Sequence, residues 1–130
     1  MLGIEVIEHV ENPWEYIRPL YKLAKPGGHV ILSTPNITSW HSRLAFLLRG
    51  EYDEFGEKAQ HGHIHPVSAW EVKRIMNDIG LTEVVINSAA EIYAEIATAF
   101  QRIIWFLSLI IRPFQGGILN GYCLIAMGKK

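Results

Sequence analysis

Residues 5–36 read EVIEHVENPWEYIRPLYKLAKPGGHVILSTPN, and this stretch decides the fold. A short apolar run with β-branched residues, Leu2–Ile7, interrupted by Glu5, predicts a strand. Asn12-Pro13 then opens a helix, with proline suited to its first turn. Trp14, Ile17, Leu20, Tyr21 and Leu23-Ala24 keep helical spacing, and Pro19 inside the span predicts a kink or an early end. Lys25-Pro26-Gly27-Gly28 is a stop and a turn. His29–Ser33 is a second strand, apolar in its middle as a buried parallel strand should be. Within the same stretch Glu5, Glu8 and His9 gather two carboxylates and an imidazole in five residues, and His61, His63 and His65 follow far downstream. Carboxylate and imidazole together suit a hard or borderline divalent cation.

Working outward, Ser39–Leu48 reads as a helix with Trp40, Leu44, Leu47 and Leu48 on one side. Residues 49–66 are polar, glycine-containing and rich in histidine, which predicts a long loop, of the kind that is functional or mobile in compact domains. Ser68 caps a helix running to Ile79, with Glu71 at capping-box spacing and Gly80 placed to end it. Leu81–Ile86 is a third strand, Ile92–Ile111 a helix, and Tyr122–Met127 the last strand. Strands alternating with helices give an α/β sheet with crossover helices. Ligands of such sheets gather beyond the carboxyl ends of the strands, where Glu8-His9 and Thr34-Pro35-Asn36 both fall.

At 130 residues the chain has room for one domain with a core. Half of it is hydrophobic, which excludes disorder, and a net charge of −1 gives no field favouring nucleic acid. One cysteine, Cys123, excludes an internal disulfide and a cysteine zinc cage, and its apolar surroundings predict a buried, inert thiol. There is no secretory signal, so a cytoplasmic location is expected.

The run over residues 5–36 resembles the second half of class I S-adenosylmethionine-dependent methyltransferases, where a fourth strand, a helix, a K-P-G-G turn and a fifth strand follow one another. HIHPVSAWEVKRIMNDIGL, residues 63–81, resembles the helix before that family's sixth strand, and YCLIAMGKK, residues 122–130, its seventh. The resemblance implies the C-terminal half of a Rossmann-like fold: about four strands with flanking helices, the last antiparallel and inserted between the second and third present here. Residues 1–130 would form a single partial domain with a variable apolar helical insertion at 91–117. The family's glycine-rich cofactor turn and ribose-binding acid have no counterparts in this sequence. The expected consequence is a truncated chain, inactive alone. The intact activity would be methyl transfer from S-adenosylmethionine, to oxygen, on a small-molecule or lipophilic acceptor.

The EVIEH signature is similar to a narrower group, the O-methyltransferases of ubiquinone biosynthesis and of small-RNA 2′-O-methylation. That resemblance implies a Mg²⁺ or Mn²⁺ ion on Glu5, Glu8, His9 and His63, with His61 or His65 open as replacements, and catalytic roles for His9 and His63. Against it stands a plainer reading, in which Glu8 and His9 cap the next helix, His65 shapes the entry of the following one, and His29 and His41 are structural or exposed. Residues 103–111 are apolar but far short of the roughly 20 needed to span a bilayer. They suit either a lid or core helix or a membrane-surface contact. The apolar Leu2–Ile7 strand, bare on one edge, predicts self-association. The alternative to an enzyme is a non-catalytic interaction or membrane-surface module.

Overall fold

The computed structural model describes residues 1–56, 62–89, 99–111, 117–119 and 121–130. Its element order is β1 (Leu2–Ile4), α1 (Pro13–Leu23), β2 (His29–Pro35), α2 (Trp40–Arg49), α3 (Ala69–Ile79), β3 (Thr82–Ala89), α4 (Ala99–Ile111) and β4 (Cys123–Lys129). The four strands form one sheet in the order β1-β2-β4-β3. β1 runs parallel to β2, and β4 is antiparallel to both of its neighbours. The expected position and direction of the last strand are therefore met.

The helices start and stop where their side chains allow. The Asn12 carboxamide accepts from the amides of Trp14 at 3.0 Å and Glu15 at 3.4 Å, so two otherwise unpaired N–H groups are met at the start of α1. Pro13 follows in the first turn, and the helix runs on through Pro19 to Leu23, so the expected shortening does not occur. At α3 the Ser68 hydroxyl accepts from the Glu71 amide at 3.1 Å, and Gly80, with φ of 105°, ends the helix in the left-handed conformation that glycine enters without steric cost.

α1 and α3 lie side by side, and α3 packs on β3 and β4. Ile17 of α1, Val30 and Leu32 of β2, Val72, Ile75 and Met76 of α3, and Leu124 and Ala126 of β4 make the core under this layer. Along a strand alternate residues face opposite ways, and the other face carries an apolar row. Leu2 pairs with Ile31, Ile31 with Met127, and Met127 with Val85. Leu2, Val85 and Met127 of this row are exposed.

Two strand expectations are corrected. The first strand ends at Ile4, not Ile7, because Glu5 takes a φ of 50° and a 3₁₀ turn over Ile7–His9 follows. The third strand continues to Ala89, past an irregularity between Thr82 and Val85 where Glu83 has a φ of 51°. On α2, Leu47 and Leu48 are exposed, and His41, Ser42 and Ala45 are buried. That helix packs against α4. Of the predicted Ile92–Ile111 helix, Ala99–Ile111 is helical and the residues before it lie outside the described ones. Among the described residues no helix is long and apolar enough to cross a membrane.

Candidate metal and acceptor site

Glu5 closes β1 in a strained backbone conformation. Its amide is bonded to Ser33 on β2, and its carboxylate accepts from the Ser33 hydroxyl at 2.6 Å and from the Cys123 thiol at 3.3 Å. A non-glycine residue at positive φ costs on the order of 1–3 kcal/mol and persists where surrounding contacts enforce it. Here β2 and β4 supply those contacts. Burial, and then the Glu5 charge, push the Cys123 thiol up to about 11, which fits the inert role expected of it.

The 3₁₀ turn that follows drives Ile7 into the core and carries Glu8 with it. Glu8 has no solvent contact at all, and neither carboxylate oxygen has a hydrogen-bond partner among the described residues. A buried carboxylate without partners is costly. Burial raises its pKa, its own backbone amide opposes the rise, and the Glu5 charge adds to it. The Thr34 hydroxyl pulls slightly the other way, although it too lacks a hydrogen bond of good geometry.

The histidine loop docks on this turn through the Glu8 backbone. The Glu8 carbonyl accepts from the amides of Ile64 at 2.9 Å and His65 at 3.0 Å. That contact brings His63 to His9, with ring centroids 4.7 Å apart and edge to face. Glu8, His9 and His63 each offer one ligand atom, and these atoms lie within 4.8 Å of one another. Both imidazoles meet a backbone carbonyl through Nδ1: His9 at 3.3 Å from Gly62 and His63 at 3.0 Å from Glu54. A carbonyl oxygen only accepts, so these bonds place the proton on Nδ1 and the lone pair on Nε2. Histidine ligands of metals are commonly oriented this way by a carbonyl on the second ring nitrogen.

The sequence-based candidates thus separate. Glu8, His9 and His63 come together. Glu5 is engaged by Ser33 and Cys123 outside that trio, and His65 pairs through Nε2 with Glu71 at 3.3 Å. His61 lies outside the described residues. His41, expected to be structural or exposed, is buried, and its Nδ1 lies 3.1 Å from Asp53 Oδ2. Arg49 holds the other Asp53 oxygen at 3.2 Å. Burial works to raise the Asp53 pKa, but the His41 hydrogen bond and charge, with Arg49, outweigh it and hold the carboxyl low. Asn36, Ser39, His41, Ser42, Asp53 and Tyr122 line a small polar cavity at the carboxyl end of β2, where ligands of α/β sheets bind. Asp53 and Glu54 had no sequence signal beyond the polarity of their loop, since His41 and Asp53 meet across a helix.

Comparison with known proteins agrees with this architecture. A family model described as a methyltransferase domain matches residues 1–85. The ubiquinone biosynthesis O-methyltransferase of Pseudomonas putida (strain W619) is 37% identical over 90 residues, which cover 61% of this chain and 38% of that protein. The mitochondrial ubiquinone biosynthesis O-methyltransferase of Dictyostelium discoideum is 47% identical over 50 residues, 38% of this chain and 15% of its own length. This chain therefore spans well under half the length of these curated relatives. Among solved structures, a SAM-dependent methyltransferase from Archaeoglobus fulgidus superposes with a TM-score of 0.60 at 18% identity, covering 99% of this chain and 57% of its own. A SAM-dependent methyltransferase from Thermotoga maritima, described as a possible histamine N-methyltransferase, gives 0.64 at 16% identity, with 99% and 54% covered. At such identities the likeness carries the fold, a Rossmann-like α/β arrangement.

Proposed function

Because the chain belongs to the methyltransferase-domain family, its residues 1–85 matching that family's model, we propose that it supplies the metal and acceptor side of an S-adenosylmethionine-dependent O-methyltransferase. The observation that carries this reading is the orphaned Glu8 carboxylate with a ring nitrogen of His9 and of His63 within 4.8 Å of it. A buried anion with no hydrogen bonds and two imidazoles turned toward it is the donor set of a divalent cation. Three protein ligands leave coordination positions for a substrate oxygen. One carboxylate and two nitrogens suit Mn²⁺ better than Mg²⁺, which prefers oxygen.

When bound, the cation would lower the pKa of an acceptor hydroxyl. The chain's own residues do the rest. Glu8 supplies the charge, and its burial excludes water from one side of the site. His9, exposed to solvent, and His63, largely buried, hold their rings by Nδ1 and keep the Nε2 lone pair of each free for the cation. The exposed apolar side chains of α2 and α4, among them Phe46, Leu47 and Phe106, suit a small lipophilic acceptor. For the methyl donor there is no matching cradle: no G-x-G-x-x-G turn occurs in the 130 residues. No step through S-adenosylmethionine is therefore assigned to residues of this chain, and the chain alone is expected to be inactive. Nothing among the described residues favours the alternative of a non-catalytic module. Calorimetric titration of the metal-free chain with Mn²⁺ tests the reading. Binding that is lost in both Glu8→Gln and His63→Ala is expected, and equal binding by all three proteins contradicts it.

A further inference from the structure

We propose that the turn Tyr52–Phe55 is a positioning strap that sets the tautomer and orientation of His63, with Asp53 as its anchor and the Glu54 carbonyl as its working atom. The inference rests on the reading of Glu8, His9 and His63 as a cation site. It goes beyond that reading in assigning roles to residues that touch neither a cation nor an acceptor.

Four consecutive residues carry the argument. Tyr52 stacks on Phe46 of α2, with ring centroids 4.6 Å apart. Asp53 is clamped by α2 at two places, His41 at 3.1 Å and Arg49 at 3.2 Å, one on each carboxylate oxygen. Glu54 has a φ of 72°, and the Phe55 amide closes the turn on the Tyr52 carbonyl at 3.1 Å. Glu54 is thus the third residue of a four-residue turn, where positive φ ordinarily selects glycine or asparagine. A glutamate held there is strained, and the two anchors before it are what hold it. The conformation aims the Glu54 carbonyl at His63 Nδ1, 3.0 Å away. Phe55 then packs its ring 5.2 Å from the His63 ring. So α2, which offers no ligand, dictates through Asp53 which nitrogen of His63 carries the lone pair. The His41–Asp53 pair is otherwise hard to explain. His41 is buried and its Nε2 is without a hydrogen-bond partner among the described residues, so its polar engagement among them is to hold Asp53 through Nδ1.

The test is nitrogen-15 NMR of the histidine side chains in the metal-free 130-residue chain, with Mn²⁺ affinity measured separately. Wild-type His63 is expected to carry its proton on Nδ1. Asp53→Ala frees the turn and should mix the two tautomers and weaken Mn²⁺ binding by about tenfold, as loss of an orienting partner does. Glu54→Pro lies in a surface turn and keeps the core intact, but fixes φ near −65° and forbids the conformation. It should have the same effect even if Asp53→Ala fails to fold. Glu54→Gly permits the turn and should keep the Nδ1–H signal. A wild-type His63 protonated on Nε2, or a tautomer unchanged in Glu54→Pro, overturns the proposal. So does a loss of Mn²⁺ affinity without a change of tautomer. If the wild type binds no Mn²⁺ but its tautomer responds as described, the strap stands and the cation reading fails.

Discussion

Replacing Glu8 by glutamine removes one charge and almost no volume from a fully buried position. In the metal-free chain that charge has no hydrogen-bond partner, and burial has raised the carboxyl pKa above its ordinary 4.5. The folded chain therefore holds a proton that the unfolded chain has already released over the interval between the two values. Stability falls there as pH rises, and the deficit persists at neutral pH. Leaving a buried polar group unsatisfied costs about 1–3 kcal/mol, more when it is charged. A neutral amide at the same place bears less of this cost. In EDTA at neutral pH, Glu8→Gln is thus expected to be more stable than the wild type, by about 2 kcal/mol on that scale. With a urea m-value of about 2 kcal/mol/M, typical of small domains, the midpoint rises by about 1 M. In acid, with the carboxyl protonated in both states, the advantage disappears. Adding Mn²⁺ at about 100 times its dissociation constant stabilises the wild type by about 2.7 kcal/mol and the variant hardly at all, so the order inverts. A Glu8→Gln protein less stable than the wild type in EDTA, by an amount independent of pH, would refute the reasoning, because Glu8 would then be satisfied within the fold.

Asp53 behaves in the opposite sense. Its carboxyl is held below the ordinary 3.8, so its contribution is present above that value and is lost as pH falls through the folded pKa. Asp53→Asn should cost roughly 1.5–3 kcal/mol at neutral pH and little in strong acid by urea denaturation, since a hydrogen bond to a charged group is worth about that much; an equal cost at both would contradict the clamp. The 130-residue chain should give no calorimetric signal with micromolar S-adenosylmethionine, because backbone amides of a glycine-rich turn and a ribose-binding acid are what hold such a cofactor. The edge of β1 and the row Leu2, Ile31, Met127 and Val85 beside it should drive self-association, seen as concentration-dependent sedimentation; a monodisperse monomer in which Leu2→Lys changes nothing would show that the face is covered.

The sequence announces best what is local. Asn12-Pro13, Lys25-Pro26-Gly27-Gly28, and Ser68 with Gly80 mark helix ends through groups within a few residues of each other, and the structure puts the ends there. The place of β4 between β2 and β3 was legible only through the family resemblance, since periodicity carries no strand order. The early end of β1 was not legible. Glu5 takes its left-handed conformation because Ser33 and Cys123, from β2 and β4, hold its carboxylate. The site shows the same division. Glu8 and His9 stand out by adjacency, and His63 by the resemblance and its histidine-rich loop. Nothing local separates His63 from His65, and the choice is made by the docking of the loop on the Glu8 carbonyl. His41 and Asp53 were missed because their pairing is tertiary.

Pulsed electron paramagnetic resonance of Mn²⁺ bound to the 130-residue chain, read for coupling to imidazole nitrogen, tests the central claim most directly. Two coordinated imidazole nitrogens are expected, falling to one in His9→Ala and to one in His63→Ala. Mn²⁺ that remains bound without nitrogen coupling, or with coupling unchanged in both variants, would contradict the assignment of Glu8, His9 and His63 as its site.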